Sequence, residues 1–199
     1  MDSLLRKNKD RLFIALYHLG GPFGGLSYDT GGIPPESKEY QWALLIAPKE
    51  EFGDTEAERW LMRRTSIDGS SSQIIWKVEN DKVLLRPHDH IIARILIGKV
   101  MDRNRLAGIL LISKISSTAS EEPRTHLTWI REMVTDLRKD GKCCKHLPEW
   151  EYIEQACVEF AGKSNYSLGQ FPTLDIISRS SGKTGSKQPV KDSPSRPQI

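Results

Sequence analysis

The chain has 199 residues, 38% of them hydrophobic and 28% charged, which suits one globular domain with an unfolded appendage. No apolar run approaches the roughly 18 residues that a membrane span needs, and Met1 to Asp10 has no apolar segment of the signal-peptide kind, so the expectation is a soluble, cytoplasmic protein with no membrane partner. The net charge of +3 sits in the tail, where Arg179, Lys183, Lys187, Lys191 and Arg196 face only Asp192; the nearly neutral body lacks the footprint of a nucleic-acid binder.

Arg11 to Leu19 reads as a first strand, apolar on both faces and therefore interior. Gly20 to Gly25 opens a long loop that reaches Glu39; Leu26-Ser27-Tyr28 follows the glycines where a phosphate loop needs Gly-Lys-Ser/Thr, so a turn is the simpler reading. Tyr40 to Ala47 predicts a second strand, with Trp42, Leu44 and Ile46 on one face and Gln41, Ala43, Leu45 and Ala47 on the other. The second set is mostly small, which predicts close helix packing on that side.

Trp60 to Ile67 and Gln73 to Glu79 flank Asp68-Gly69-Ser70-Ser71-Ser72 as a hairpin, with a further strand beginning near Val83. His88-Asp89-His90 has the residue types of a metal site, but no cluster nearby completes a ligand set and Pro87 marks a loop. Ile91 to Val100 is β-branched and apolar apart from Arg94 and Lys99, a buried strand, and Asp102 then caps a helix carrying Leu106, Ile109 and Leu110.

Ser120-Glu121-Glu122-Pro123 predicts the start of a helix that stops at Gly141. His126, Ile130, Met133 and Leu137 fall on one of its stripes, placing His126 on the buried side one or two turns in. A last helix begins around Pro148, with Trp150, Ile153, Cys157 and Phe160 on its inner face, which makes Cys157 a core residue. Three cysteines, two of them adjacent, make no disulfide framework, and Cys143-Cys144-Lys145-His146 has no second cluster with which to form a zinc site. Neither a metal nor a cofactor is predicted. Hydrophobic periodicity fades after Lys163, so the expected organisation is one α+β domain over 1–163, an antiparallel sheet of about five strands against two or three helices, and a disordered basic tail over 164–199. Gly182-Lys183-Thr184 resembles the end of a phosphate loop, but Ile177 stands where its first glycine would be.

Gln41-Trp42-Ala43-Leu44-Leu45-Ile46-Ala47-Pro48-Lys49, Leu96-Ile97-Gly98-Lys99-Val100 and Thr125-His126-Leu127-Thr128-Trp129 resemble a family of small uncharacterised proteins from filamentous fungi, over Arg11 to Gly162. Its pattern is a His-Trp-Ala-Leu strand, a Leu-Ile-Gly-Lys-Val segment and a Cys-x-Thr-Trp helix. That pattern in turn looks like a circularly permuted papain-like fold of the NlpC/P60 and lecithin:retinol acyltransferase type, in which a helix N-terminus and a neighbouring imidazole activate a thiol. Here Gln41 stands where the resemblance implies histidine, and His126 where it implies cysteine. An amide is no general base, and Cys143 and Cys144 lie roughly 25 Å from His126, beyond the far end of the helix. Cysteine-hydrolase chemistry is therefore not expected.

The candidate catalytic residues are His126 and Gln41, and the candidate ligand-binding residues are Gln41, His126, Trp42 and Trp129, around a groove for a small molecule or peptide. An accessory binding protein of fungal secondary metabolism is the leading expectation. The alternatives are an enzyme with His126 as general acid or base, such as an isomerase, cyclase or hydrolase, and an interaction protein acting through its basic tail.

Overall fold

The computed structural model describes residues 10–18, 40–52, 54–66, 74–85, 91–116, 125–163 and 172–180. Among them, five long strands, β1 (Arg11–His18), β2 (Tyr40–Ala47), β3 (Glu56–Ser66), β4 (Ile74–Leu84) and β5 (Ile91–Val100), are joined by two short ones, β6 (Cys144–Lys145) and β7 (Thr173–Asp175), in one sheet. The order is β4-β3-β2-β1-β5-β6, with β7 also on β5. Every pairing is antiparallel except β5 with β7. Three helices, α1 (Arg103–Ser116), α2 (His126–Asp140) and α3 (Trp150–Lys163), and one turn, α4 (Ile177–Ser180), complete an α+β architecture.

β1 and β2 hold the centre because their sequences are apolar in both registers. All residues of β2 are buried. Leu12, Ile14 and Leu16 of β1 share a face with Tyr40, Trp42, Leu44 and Ile46, and this face receives the apolar sides of α1, α2 and α3. Phe13, Ala15 and Tyr17 share the other with Ala43, Leu45 and Ala47. Each fully buried Leu or Ile contributes about 1.5–3 kcal/mol relative to exposure, so this central pair anchors the fold.

The expectation that helices pack on the small-residue side of β2 is overturned: α2 lies over β2 and β3 on the side of Trp42. Bulk explains the choice. Trp42 meets Trp150 of α3 at 6.0 Å between ring centroids, tilted by 48°, a contact that Ala43 has no side chain to make.

β4 runs unbroken from Ile74 to Leu84 and pairs with β3 throughout, so the separate strand expected near Val83 is the second half of β4. Asp102 does cap α1, its carboxylate accepting from the Arg105 N–H at 2.9 Å. α2 starts at His126 behind an N-cap at Thr125, whose hydroxyl accepts from the Thr128 N–H. His126 is therefore the first helical residue instead of one or two turns in; Ser120–Pro123 lies outside the described residues. Gly141 ends α2 at φ 62°, in the left-handed conformation that glycine adopts without steric cost, and donates to the Leu137 carbonyl.

Two boundaries move. Cys143 and Cys144, which as a reduced pair were expected in a loop, are buried, with Cys144 in β6 and the Cys143 carbonyl accepting from the Met101 N–H at 2.7 Å, so the pair belongs to the core. Thr173–Asp175 pairs with Arg94–Leu96 and Ile176 is buried, which carries the ordered body past the boundary drawn at 163. Residues 181–199, with most of the basic segment, lie outside the described residues, as do Gly20–Gly25 and His88–His90. No helix among the described residues is long and apolar enough to cross a membrane.

Candidate functional site

Buried polar side chains mark the places where a fold does something other than exclude water, because each costs free energy unless it is paired. Among the described residues four are buried: Gln41, Arg59, Arg94 and His126. Their positions on the pleat decide which of them can act together.

Gln41 stands opposite Tyr17 in the β1–β2 register, and Tyr17 belongs to the cluster on the face opposite α1, α2 and α3. His126 opens α2, on the helix face, with its ring 6.1 Å from that of Trp76. The pairing expected between Gln41 and His126 is thus not made: the sheet lies between their side chains, because successive strand residues point to opposite faces. Trp42 and Trp129 are on the helix face, but both are wholly buried and fill the core instead of lining an open site.

What Gln41 and His126 share is a place. The β2–β3 ladder ends at Ala43↔Leu61, leaving Tyr40, Gln41 and Trp42 beyond the last paired residues while β3 continues with β4. Side chains take over where backbone pairing stops. Gln41 Nε2 donates to the Met62 carbonyl at 3.3 Å, and the ring of His126 hydrogen-bonds the Tyr40 backbone.

His126 is held less firmly than the two arginines, by one contact to the Tyr40 backbone and by no carboxylate. It is only 6% exposed, and its Nε2 has no hydrogen-bond partner among the described residues. Burial lowers its pKa to about 4, against a smaller opposing effect of the Tyr40 hydrogen bond. The positive end of the α2 dipole acts in the same direction as burial. At neutral pH the ring is uncharged. The Tyr40 contact favours a proton on the ring, so the ring donates and the carbonyl accepts; with Nε2 unpartnered, Nδ1 is the donor and Nε2 carries the free lone pair.

Each arginine is held by a carboxylate. Arg59 donates from Nε to Asp81 Oδ1 at 2.9 Å, makes a second bond to the other carboxylate oxygen, and lies over the Tyr17 ring at 5.4 Å. Arg94 grips both oxygens of Glu51, at 3.1 and 2.9 Å, donates to Thr173 Oγ1 at 3.0 Å, and lies over Phe13 at 5.1 Å. Arg94 had a visible signal, being the cation inside an otherwise apolar run, whereas Arg59 shares its face of β3 with Arg63. Trp76 and Tyr40, the neighbours of His126, had none beyond their aromaticity.

No thiol is placed for catalysis. Hydrogen bonding with Cys143, with burial second, pushes the Cys144 thiol far up, and burial raises Cys157. Among the described residues no three His, Cys, Asp or Glu side chains could hold a metal ion. Open clefts exist elsewhere: one of about 620 Å³ between α2 and α3, lined by Arg131, Arg138 and Glu151, and one of about 330 Å³ between α3 and β7, lined by Tyr152, Phe160 and Leu174. Neither includes His126 or Gln41. The polar walls of the first are already engaged, Arg138 with Glu149 and Arg131 with Glu151.

Fold and site together define an α+β protein with a single mixed sheet, helices on one face and a neutral buried imidazole at a helix start. The chain belongs to a family of unknown function (DUF6914), whose sequence profile matches residues 9–178. No curated protein and no solved structure matches it.

Proposed function

We propose that this protein is a non-hydrolytic binding protein that takes a small molecule or peptide beside His126, at the start of α2. The observation that carries the reading is the buried Nε2 with no partner among the described residues. A buried acceptor left unmade costs about 1–3 kcal/mol, and a bound ligand group that hydrogen-bonds to it recovers that cost. The buried, protonated thiols support the non-hydrolytic part. In this reading the permuted papain-like resemblance and the fungal origin survive as ancestry: a strand and a helix start are kept, and the thiol chemistry is gone. A role as an accessory of fungal secondary metabolism follows from that resemblance alone.

The first test is a thermal-shift screen of the full chain against metabolite and peptide libraries, repeated on His126→Phe. Ligands that stabilise the wild type and not the variant support the reading; ligands that stabilise both equally contradict it. Deleting the gene in its host, with untargeted metabolite profiling, then names the chemical neighbourhood.

One observation also favours an enzyme. A neutral imidazole with a free lone pair is the form a general base requires. A group with a pKa of about 4 is a weak base at neutral pH, however, so binding is preferred. A His126→Ala strain with an unchanged metabolite profile would count against catalysis.

A further inference from the structure

The reading above leaves open what kind of group meets His126, and the hydrogen-bond pattern around the ring narrows it. A helix N-terminus ordinarily attracts anions. Here the position nearest that terminus is filled by an imidazole whose donor is already used by the Tyr40 backbone. A neutral imidazole has one donor and one acceptor, so the nitrogen left over is an acceptor. A fully deprotonated anion brought to Nε2 would set lone pair against lone pair at a buried atom. A carboxylate or fully deprotonated phosphate is therefore excluded by the very ring that the helix start presents.

The surroundings constrain the rest of the ligand. Trp76, tilted 51° to the imidazole, packs against the helix-face core that includes Tyr40 and Leu127. Thr125 and Thr128 bond each other at 2.9 Å, so the hydroxyls of the first turn of α2 are engaged. One demand remains unfilled: a hydrogen-bond donor.

We infer that the His126 site selects a neutral ligand bearing a single hydroxyl or N–H donor on an aromatic or apolar body, with that donor directed at Nε2. This rests on the proposed binding function and adds the substrate class to it. Because Nε2 is sheltered, such a ligand enters by displacing packed side chains where β2 and β3 part, and association is slow compared with that at an open cleft.

The experiment uses the full chain labelled with ¹⁵N in its histidines and a matched panel of probes: p-cresol and indole as donors, 4-methylanisole and N-methylindole as isosteres without the donor, and benzoate and phenyl phosphate as anions. The inference expects p-cresol or indole to shift the His126 Nε2 resonance saturably. The methylated isosteres should bind at least about tenfold more weakly, the consequence of leaving one buried acceptor unpaired. The anions should leave the resonance unmoved. Saturable binding of benzoate or phenyl phosphate at His126, or equal affinity for the methylated probes, overturns the donor selectivity while leaving a binding site in place. No perturbation of His126 by any probe overturns the site and the selectivity together. His126→Phe, with its fold checked by circular dichroism, should lose the preference for the donor probes over their methylated partners; a preference that survives locates the site elsewhere and overturns the inference.

Discussion

The two faces of the sheet hold their buried polar side chains in different ways. On the face opposite α1, α2 and α3, Arg59 and Arg94 are buried against the carboxylates of Asp81 and Glu51, and Gln41 donates to a backbone carbonyl. On the helix face the core is apolar, and its one buried polar side chain among the described residues, His126, keeps a nitrogen without a partner. A buried cation gripped by a carboxylate reads as architecture, and a neutral ring with an unpartnered acceptor as a candidate site.

The largest expected effect lies on the architectural face. Arg94→Ala removes the partner of Glu51 and should cost about 3–5 kcal/mol in urea unfolding. Arg94→Lys should not restore it, because a point charge cannot span both Glu51 oxygens and Thr173. A loss below about 1 kcal/mol would mean that this face does not depend on its ion pairs.

The next effect is a pH dependence from the other face. The pKa of His126 is near 6.5 when the chain is unfolded and about 4 when folded, so the unfolded state takes up the proton first as pH falls. Its contribution is complete above pH 6.5 and is lost progressively down to pH 4, a change of about 3 kcal/mol. His126→Phe should flatten that part of the stability profile. An unchanged slope in the variant would assign it to other groups.

Gln41→Ala is a smaller perturbation. It leaves the Met62 carbonyl unpaired and should cost about 1–2 kcal/mol by chemical denaturation. Since Gln41 and His126 are on opposite faces, the variant should leave ligand-induced stabilisation at His126 intact; a loss of ligand response would rejoin the two residues in one site. Thr125→Ala should cost about 1 kcal/mol through the lost N-cap, and hydrogen exchange should rise in the first turn of α2 alone.

Much of this architecture is legible in the residues. The two-sided apolar runs of β1 and β2 announce central strands, Asp102 and Gly141 announce a helix start and a helix stop, and Trp150 with Ile153 and Cys157 announces the inner face of α3. Two short strands escape notice because pairing over two or three residues leaves no periodicity to read. The start of α2 is misplaced because Ser120-Glu121-Glu122-Pro123 is a stronger capping signal than Thr125 alone. The site is legible only in half. Burial of His126 follows from its stripe, but its partner does not: spacing along β2 gives alternation, and only the packed structure tells which side the helices choose. Buried Arg94 could have been found, since a cation within an apolar strand demands an acid.

The state of one imidazole separates a binding site from a core residue. Its most direct test is a ¹⁵N and ¹H titration of the His126 ring in the folded protein between pH 3.5 and 8. The prediction is a neutral ring with its proton on Nδ1 and an unprotonated Nε2 at pH 7, titrating near 4. A ring that is charged at pH 7, or that carries its proton on Nε2, would contradict it.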